Sequence, residues 1–387
     1  MRIMKLIAAY IDAAGASADA IVKKATELQN NGIDELVLVN YTTDEAEKES
    51  FLDQARELSR AIDIPFLIGA SAHRFEDVKK AFYTGARAVI LRRSDTEGND
   101  LVKEGSDRFG KGNIYVCENG VCVNGKERTL ILKDGAASAE TAASELNNDN
   151  ADEFAAVFEG TDIMAYKREL EALGADVNTF KPSISFDELK TGADGLVPCI
   201  VQDYRTNEVL MMAYMDREAF DKTAETGIMT YHSRSRNELW VKGLTSGHFQ
   251  YLRELSCDCD KDTLLAKVIQ IGAACHTGSR SCFFNEMVRH EYATKDISKV
   301  LSSLYGVVVD RKLHPKEGSY TNYLLDKGID KILKKCGEEA TEMVIAAKNP
   351  NAEELKYEIA DLLYHMTVLM VECGVDWQDV AGELANR

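Results

Sequence analysis

Four short apolar runs, spaced by helical stretches of about fifteen residues, constrain the start of this chain more than any other feature. The runs are Lys5–Ile11, Glu35–Val39, Pro65–Gly69 and Ala88–Leu91. Between them, Ala18–Asn31 places Ala20, Ile21, Ala25 and Leu28 at helical spacing, and Lys48–Ile62 and Phe75–Gly85 read the same way. A strand followed by a helix of this length has its direction restored before the next strand begins. The strands are therefore expected to lie parallel in one sheet.

The alternation fades after residue 92. Asn113–Val123 and Arg128–Leu132 read as short strands around Asn119-Gly120 and Asn124-Gly125, dipeptides that accept the positive φ of a tight hairpin. Ala136–Leu173 has mostly helical propensity, and Gly174–Lys190, with Pro182, reads as a linker. Residues 191–293 change character. Leu196–Gln202, Glu208–Met215, Ile228–His232, Glu238–Lys242, Phe249–Leu255 and Thr263–Ile271 are strand-like, and Asp216–Thr226 reads as a helix with Asp216 as its N-cap. Residues 296–387 are helical throughout, save a loop at Asp310–Ser319. The chain is thus expected to be multidomain: an α/β domain over 1–180, a β-rich α+β domain over 191–293 and an all-α helical domain over 296–387.

A net charge of −18 repels nucleic acid and anionic membrane, so neither is an expected partner. The first apolar run is broken by Asp12 and lacks a signal-peptide layout, and no run of 18 apolar residues exists. A cytoplasmic location follows as the expectation, with the nine cysteines as free thiols in a reducing compartment.

The run Ser256-Cys257-Asp258-Cys259-Asp260-Lys261-Asp262 concentrates metal-binding chemistry. If extended, it sets Asp258, Asp260 and Asp262 on one face and turns Cys257 and Cys259 to the other. Three carboxylates so close need a cation, and hard oxygen ligands suit Mg²⁺. Cys275, His276 and Cys282 follow, and thiolates select a softer ion such as Zn²⁺. The spacing C-x15-C-x6-C is not that of a zinc finger, and taken alone it also fits a structural zinc or scattered core cysteines. Upstream, Ser233, Arg234, Ser235, Arg236 and Lys242 have the composition of a phosphate cradle, or of an ordinary solvated strand.

Together, GLVPCIVQD, EVLMMAYM, YHSRSRNELWVKGLTSGH, DCDKD and ACHTGSRSCFF resemble phosphoribosyl-AMP cyclohydrolase, in order over about 95 residues. The resemblance implies Mg²⁺ on Asp258, Asp260 and Asp262. It also implies Zn²⁺ on Cys259, Cys275 and Cys282, with the zinc ligands drawn from two subunits of a homodimer. Cys257 is an extra thiol beside that pattern. Opening the adenine ring requires hydroxide attack on an amidine carbon, and a three-ligand zinc leaves a position for the water. His276, beside a ligand, is the candidate proton shuttle.

Near the C-terminus, Lys331-Ile332-Leu333-Lys334-Lys335-Cys336-Gly337-Glu338-Glu339-Ala340-Thr341-Glu342 opens an apolar helix. Glu338 and Glu342 lie about 40° apart on it, with Glu339 about 100° from Glu338. A later helix carries Glu358 and Asp361 among Ile359, Ala360, Leu362 and Leu363. Facing each other, the two helices would form a five-carboxylate pocket for Mg²⁺ that clamps a triphosphate. The plainer reading is two solvated helix faces. With Asp310-Arg311-Lys312, Pro315, Glu317-Gly318-Ser319-Tyr320 and Tyr357–His365, the segment is similar to phosphoribosyl-ATP pyrophosphohydrolase, an all-α family whose helices associate as a dimer. That resemblance implies Mg²⁺ on Glu338, Glu339, Glu342, Glu358 and Asp361, with Glu338, Glu339 and Glu342 catalytic. Arg311, Lys331, Lys334 and Lys335 become candidates for the substrate phosphates.

Residues 1–92 and Asp107–Tyr115 resemble the cyclase subunit of imidazole glycerol phosphate synthase, a (β/α)₈ barrel, through Asn31–Val39, Pro65–Gly69 and Gly85–Leu91. Tyr166–Val177 resembles that barrel's final helix. A glycine-rich phosphate loop is reduced to Gly69-Ala70-Ser71-Ala72, and Asp12 has no evident second carboxylate. A degenerate or partial barrel without cyclase activity is expected, acting as a scaffold or in oligomerisation. The whole then reads as two consecutive hydrolases of histidine biosynthesis, taking phosphoribosyl-ATP to phosphoribosyl-AMP and then opening its ring. The competing reading is a general NTP pyrophosphatase fused to a structural-zinc module.

Overall fold

The computed structural model describes residues 4–147, 151–288, 290, 296–349 and 352–385. The chain forms two compact units, Met1–Met287 and Val288–Arg387. The expected domain boundary after residue 293 falls outside the described residues.

In the first unit, β1 (Leu6–Asp12), α1 (Ala18–Asn30), β2 (Glu35–Asn40), α2 (Glu45–Ala61), β3 (Phe66–Ala70), α3 (Phe75–Phe82) and β4 (Ala88–Arg92) follow the alternation legible in the sequence. Then come α4 (Arg93–Thr96), α5 (Leu101–Phe109), β5 (Ile114–Glu118), β6 (Val121–Asn124), β7 (Thr129–Leu132), α6 (Ala139–Asn147), β8 (Glu153–Ala156) and α7 (Ile163–Ala172). The eight strands close into a barrel. Strands β1 to β5 run parallel, β6 is antiparallel to both β5 and β7, and β8 pairs in parallel with β7 and β1.

The strands are buried on both faces, which explains their continuous apolar runs. Val37, Val39, Leu67, Ile90 and Tyr115 fill the barrel, whereas Leu36, Leu38, Ile68 and Leu91 meet the helices outside. A barrel of eight strand–helix units usually needs about 250 residues. This one closes within Leu6–Ala156 because two hairpins replace crossover helices. Asn119 and Gly120, at φ 50° and 79°, turn β5 into β6 in two residues.

Strand β8 interrupts the stretch Ala136–Leu173, in which α6 and α7 form as the helical reading expects. Its sequence EFAA has little β propensity, but all four residues are buried between β7 and β1, and barrel closure decides their conformation. The expectation of nine free thiols is also corrected. Cys117 and Cys122 face each other in the hairpin register, Cα atoms 3.9 Å apart, and form a disulfide; the other seven are free.

Two carboxylates are buried where the barrel strands begin. Glu35 opens β2 and Glu153 opens β8. Arg87 reaches Glu35 at 2.6 Å and Glu153 at 3.4 Å, and Arg128 reaches Glu153 at 2.8 Å. Burial pushes Glu35 up to about 7 despite Arg87.

The same unit continues with β9 (Val197–Asp203), β10 (Val209–Met215), α8 (Arg217–Thr226), β11 (Thr230–Ser233), β12 (Glu238–Val241), β13 (Gln250–Cys257) and β14 (Leu264–Gln270). They form a sheet in the order β12-β11-β10-β9-β14-β13, antiparallel except for β9 with β14. Val197, Cys199, Val201, Leu264, Ala266 and Val268 alternate onto the face covered by Ala219 and Phe220 of α8. Asp216 caps α8 as expected, accepting the Ala219 N–H. The stretch read as a linker is docked rather than free. Lys5 bridges to Val177, and Phe180 and Ile184 pack on the sheet core. The Phe180 ring lies so close to Gly227 that a Cβ there would stand 2.9 Å away.

The second unit comprises α9 (Ile297–Leu313), α10 (Tyr320–Lys327), α11 (Ile329–Lys348), α12 (Ala352–Cys373) and α13 (Trp377–Ala385) around Val308, Leu324, Ile332, Val368 and Val371. The loop expected from Asp310 begins only at His314, because the His314 N–H bonds to the Asp310 carbonyl at 2.7 Å and carries α9 onward. No helix among the described residues is long and apolar enough to cross a membrane.

Candidate active sites

The aspartate-rich run is not extended. Strand β13 ends at Cys257 and the chain turns back into β14, with Lys261 at φ 64°. The Asp258 carboxylate accepts the N–H groups of Asp262 and Thr263 at 3.0 and 3.2 Å. Desolvation opposes ionisation of Asp258, but those backbone donors hold it below its ordinary value. A turn, rather than strand alternation, brings Asp258, Asp260 and Asp262 together, each offering an oxygen within 4.8 Å of the others. All three are exposed, an arrangement that fits a partly hydrated hard cation.

The cysteine loop is suspended from the sheet. Cys282 N–H donates to the Leu210 carbonyl at 2.7 Å, and Ser281 Oγ donates to that of Val209 at 2.7 Å. Arg280 reaches Asp203 and Glu208 at 2.7 and 3.0 Å. The Thr277 hydroxyl, 3.2 Å from Cys275 Sγ, lowers the Cys275 thiol, and burial raises that of Cys282. Cys275 and Cys282 interact directly. Cys259, exposed on the aspartate turn, does not join them in a converging group of three within one chain. His276 is exposed, its Nδ1 4.0 Å from Cys275 Sγ.

Lys242 stands apart from the other cradle residues. It is buried, and its ammonium donates to the Ala274 carbonyl at 2.9 Å, holding the start of the cysteine loop. Ser233 ends β11, and Arg234, Ser235 and Arg236 occupy the turn between β11 and β12. The Arg234 guanidinium lies 3.9 Å over the Tyr214 ring, and Arg236 bonds Ser233 and Glu238. Two histidines escaped the sequence reading. His232 Nδ1 is 2.7 Å from the Asp216 carboxylate, a contact across 16 residues with no local signature. The His248 ring lies against Gly272, where φ is +62° and a Cβ would stand 2.6 Å from Cδ2.

In the helical unit, Glu339 and Glu342 of α11 and Glu358 of α12 converge, each with an oxygen within 4.8 Å of the others. Burial, then the like charges of Glu342, Glu339 and Asp361, raise Glu358. Such mutual repulsion is what a divalent cation relieves. Asp361 stands beside the group without joining it. Glu338 points elsewhere, 3.2 Å from Lys334 and 3.0 Å from Lys335. Of the five carboxylates expected in one pocket, α11 therefore presents Glu339 and Glu342 to α12, while Glu338 turns to the two lysines. Lys335 also contacts Glu339, at 3.0 Å. Arg311 pairs with Asp310 at 2.6 Å, and Lys331 sits 6.0 Å over the Tyr323 ring. Buried His365 links this site to Tyr320: its Nδ1 is 2.8 Å from the Asp361 carbonyl and 3.7 Å from Glu339, and its Nε2 is 3.2 Å from the Tyr320 hydroxyl.

Residues 211–284 match the phosphoribosyl-AMP cyclohydrolase family, residues 301–387 the phosphoribosyl-ATP pyrophosphohydrolase family, and residues 3–157 a family described as histidine biosynthesis protein. The histidine biosynthesis bifunctional protein HisIE of Thermoanaerobacter pseudethanolicus is 54% identical over 210 residues, which are 51% of this chain and 97% of that protein. The HisIE of Bacillus subtilis is 49% identical over 201 residues, 52% of this chain and 95% of that protein. The chain belongs to the HisIE family. It is a bifunctional histidine-biosynthesis enzyme with a cyclohydrolase domain and a pyrophosphohydrolase domain. About half of it lies beyond the region shared with these HisIE relatives, and that half includes the barrel.

Proposed function

We propose that the helical unit hydrolyses phosphoribosyl-ATP to phosphoribosyl-AMP and pyrophosphate with Mg²⁺ on Glu339, Glu342 and Glu358, and that the sheet domain then opens the adenine ring with a water activated at Zn²⁺. The convergence of Glu339, Glu342 and Glu358 from two helices is the observation that carries this reading. When bound, the metals supply charge neutralisation for the phosphates and acidify water at neutral pH.

The chain's own residues do the rest. Lys334 and Lys331 stand one and two turns ahead of Glu338 on α11, within reach of a triphosphate carried by the carboxylates. Arg280 and Lys242 hold the cysteine loop on the sheet, so Cys275 and Cys282 keep a fixed spacing. His276, exposed beside Cys275, moves the proton from the attacking water to the ring nitrogen that leaves the carbon. Cys259, set apart on its turn, completes the zinc ligands of a second subunit in a homodimer, and the Asp258–Asp262 turn holds Mg²⁺ for the substrate. A cytoplasmic location accords with this metabolism.

The barrel serves as a scaffold without cyclase activity. Barrel enzymes keep their sites where the strands end. Here Tyr41 and Arg92 pack together at that end, Arg92 4.8 Å over the Tyr41 ring and bonded to Ser71 at 2.9 Å and Asp95 at 3.2 Å. A Cβ on Gly69 would lie 2.7 Å from the Tyr41 hydroxyl, so the space is filled.

The test follows pyrophosphate and ring opening together from phosphoribosyl-ATP with both metals present. Loss of both products in Glu342→Ala, and of ring opening alone in Cys275→Ala, is the expected result. Pyrophosphate without ring opening in the zinc-loaded wild type would overturn the cyclohydrolase half.

A further inference from the structure

We propose that Lys335 is the resident counter-ion of the helical carboxylate cluster, and that it gives way when a divalent metal arrives. The inference rests on the reading of Glu339, Glu342 and Glu358 as that metal's ligands.

The geometry is specific. The Lys335 ammonium stands 3.0 Å from Glu339 Oε1 and 3.0 Å from Glu338 Oε2, bridging a carboxylate inside the cluster and one outside it. Glu339 is only 5% exposed, so its charge cannot be left to solvent. Besides Lys335, His365 stands beside that oxygen, its Nδ1 3.7 Å away and held by the Asp361 carbonyl at 2.8 Å. A carbonyl only accepts, so this Nδ1 carries the proton. The other ring nitrogen, Nε2, is engaged with the Tyr320 hydroxyl at 3.2 Å. Lys335 makes the closer contact with Glu339, at 3.0 Å against 3.7 Å.

A divalent ion on Glu339, Glu342 and Glu358 would draw on the same carboxylate. Two cations about 4 Å apart repel even where the effective dielectric constant is high. Glu338 provides the alternative seat. It is bound by Lys335 already, lies outside the converging group, and lets the ammonium swing off Glu339 without losing a partner. The freed ammonium then stands beside the metal, where an incoming polyphosphate carries its charge. Metal binding thereby prepares the phosphate site, and the two ligands are expected to bind cooperatively.

The experiment is an electron paramagnetic resonance titration of the full chain with Mn²⁺, run beside pyrophosphate release at saturating Mg²⁺. Lys335→Met is expected to bind Mn²⁺ at the helical site on the order of tenfold tighter while turnover falls. A variant that is merely damaged would lose both. Lys335→Arg, which keeps the cation, is expected to retain the weaker wild-type affinity, and Lys335→Gln provides a polar control expected to follow Met. Unchanged or weaker Mn²⁺ affinity in both Lys335→Met and Lys335→Gln overturns the proposal. A Glu342→Gln chain that binds as many Mn²⁺ ions as wild type overturns instead the assignment of the cluster as a metal site.

Discussion

Arg205, on the turn between β9 and β10, grips Asp63 of the barrel through two near-parallel hydrogen bonds, Nε to Oδ1 at 2.9 Å and Nη2 to Oδ2 at 2.8 Å. The two residues are 142 positions apart, and the pair ties the barrel to the cyclohydrolase sheet. Arg168 of α7 approaches Glu225 of α8 at a second point, 3.6 Å away. The extra half of this HisIE chain is thus joined to its neighbour by specific contacts. Arg205 is nearly half exposed, so solvent screens the pair and its contribution is expected to be about 1 kcal/mol or less. A double-mutant cycle with Arg205→Ala and Asp63→Ala, read by chemical denaturation, should return a coupling of that size that shrinks with added salt. A coupling insensitive to salt would contradict the ion-pair account.

Glu338 and Glu339 are adjacent in sequence but differ in role. Glu339→Gln removes a buried member of the cluster and should lower pyrophosphate release at least about a hundredfold, the upper range for disturbing a metal's immediate surroundings. Glu338→Gln leaves the three converging carboxylates intact and should cost about tenfold or less. Steady-state rates over a range of Mg²⁺ concentrations test the order. Equal losses would place both carboxylates on the metal.

The buried pair Glu35–Arg87 makes the barrel sensitive to pH. Glu35 has a folded-state value of about 7 against an ordinary 4.5, so the folded chain holds its proton more tightly than the unfolded chain. The resulting stability is present in full below about 4.5 and is lost as pH rises through about 7. It amounts to at most about 3 kcal/mol. Glu35→Gln should flatten the wild-type decline between those limits when urea midpoints are compared across pH. A variant that declines as steeply as wild type would refute the assignment to Glu35.

Gly272→Ala tests the support of the cysteine loop. The position has φ +62°, and an added Cβ would press on the His248 ring. A backbone cost of about 1 kcal/mol or more is expected, together with the steric displacement of His248. Zinc retained per chain after dialysis should fall, and ring opening should fall with it while pyrophosphate release persists. Full zinc retention would show that the loop tolerates the change.

Much of the fold was legible because its determinants are local. The strand–helix alternation to Arg92, the Asn119-Gly120 hairpin and the Asp216 cap each depend on residues a few positions apart. Strand β8 was not legible, because EFAA becomes a strand only by closing a barrel against β1, about 150 residues away. The aspartate run was expected to gather its carboxylates by strand alternation, and the structure corrects that geometry. Its carboxylates converge through a turn with Lys261 at positive φ, which strand alternation does not foresee.

The sites divide in the same way. Which residue types are present, in what order and at what spacing was readable from the chain alone, and it was their resemblance to two families that assigned the two hydrolases. Tertiary structure alone decided that Glu339 rather than Glu338 faces Glu358, that Lys242 anchors the cysteine loop, that His232 meets Asp216, and that Tyr41 and Arg92 fill the barrel mouth. Each is a contact between elements distant in sequence. A motif records the chemistry a segment can perform; the rotation of each helix and the register of each strand, set by which apolar faces must be buried, decide which of those side chains meet.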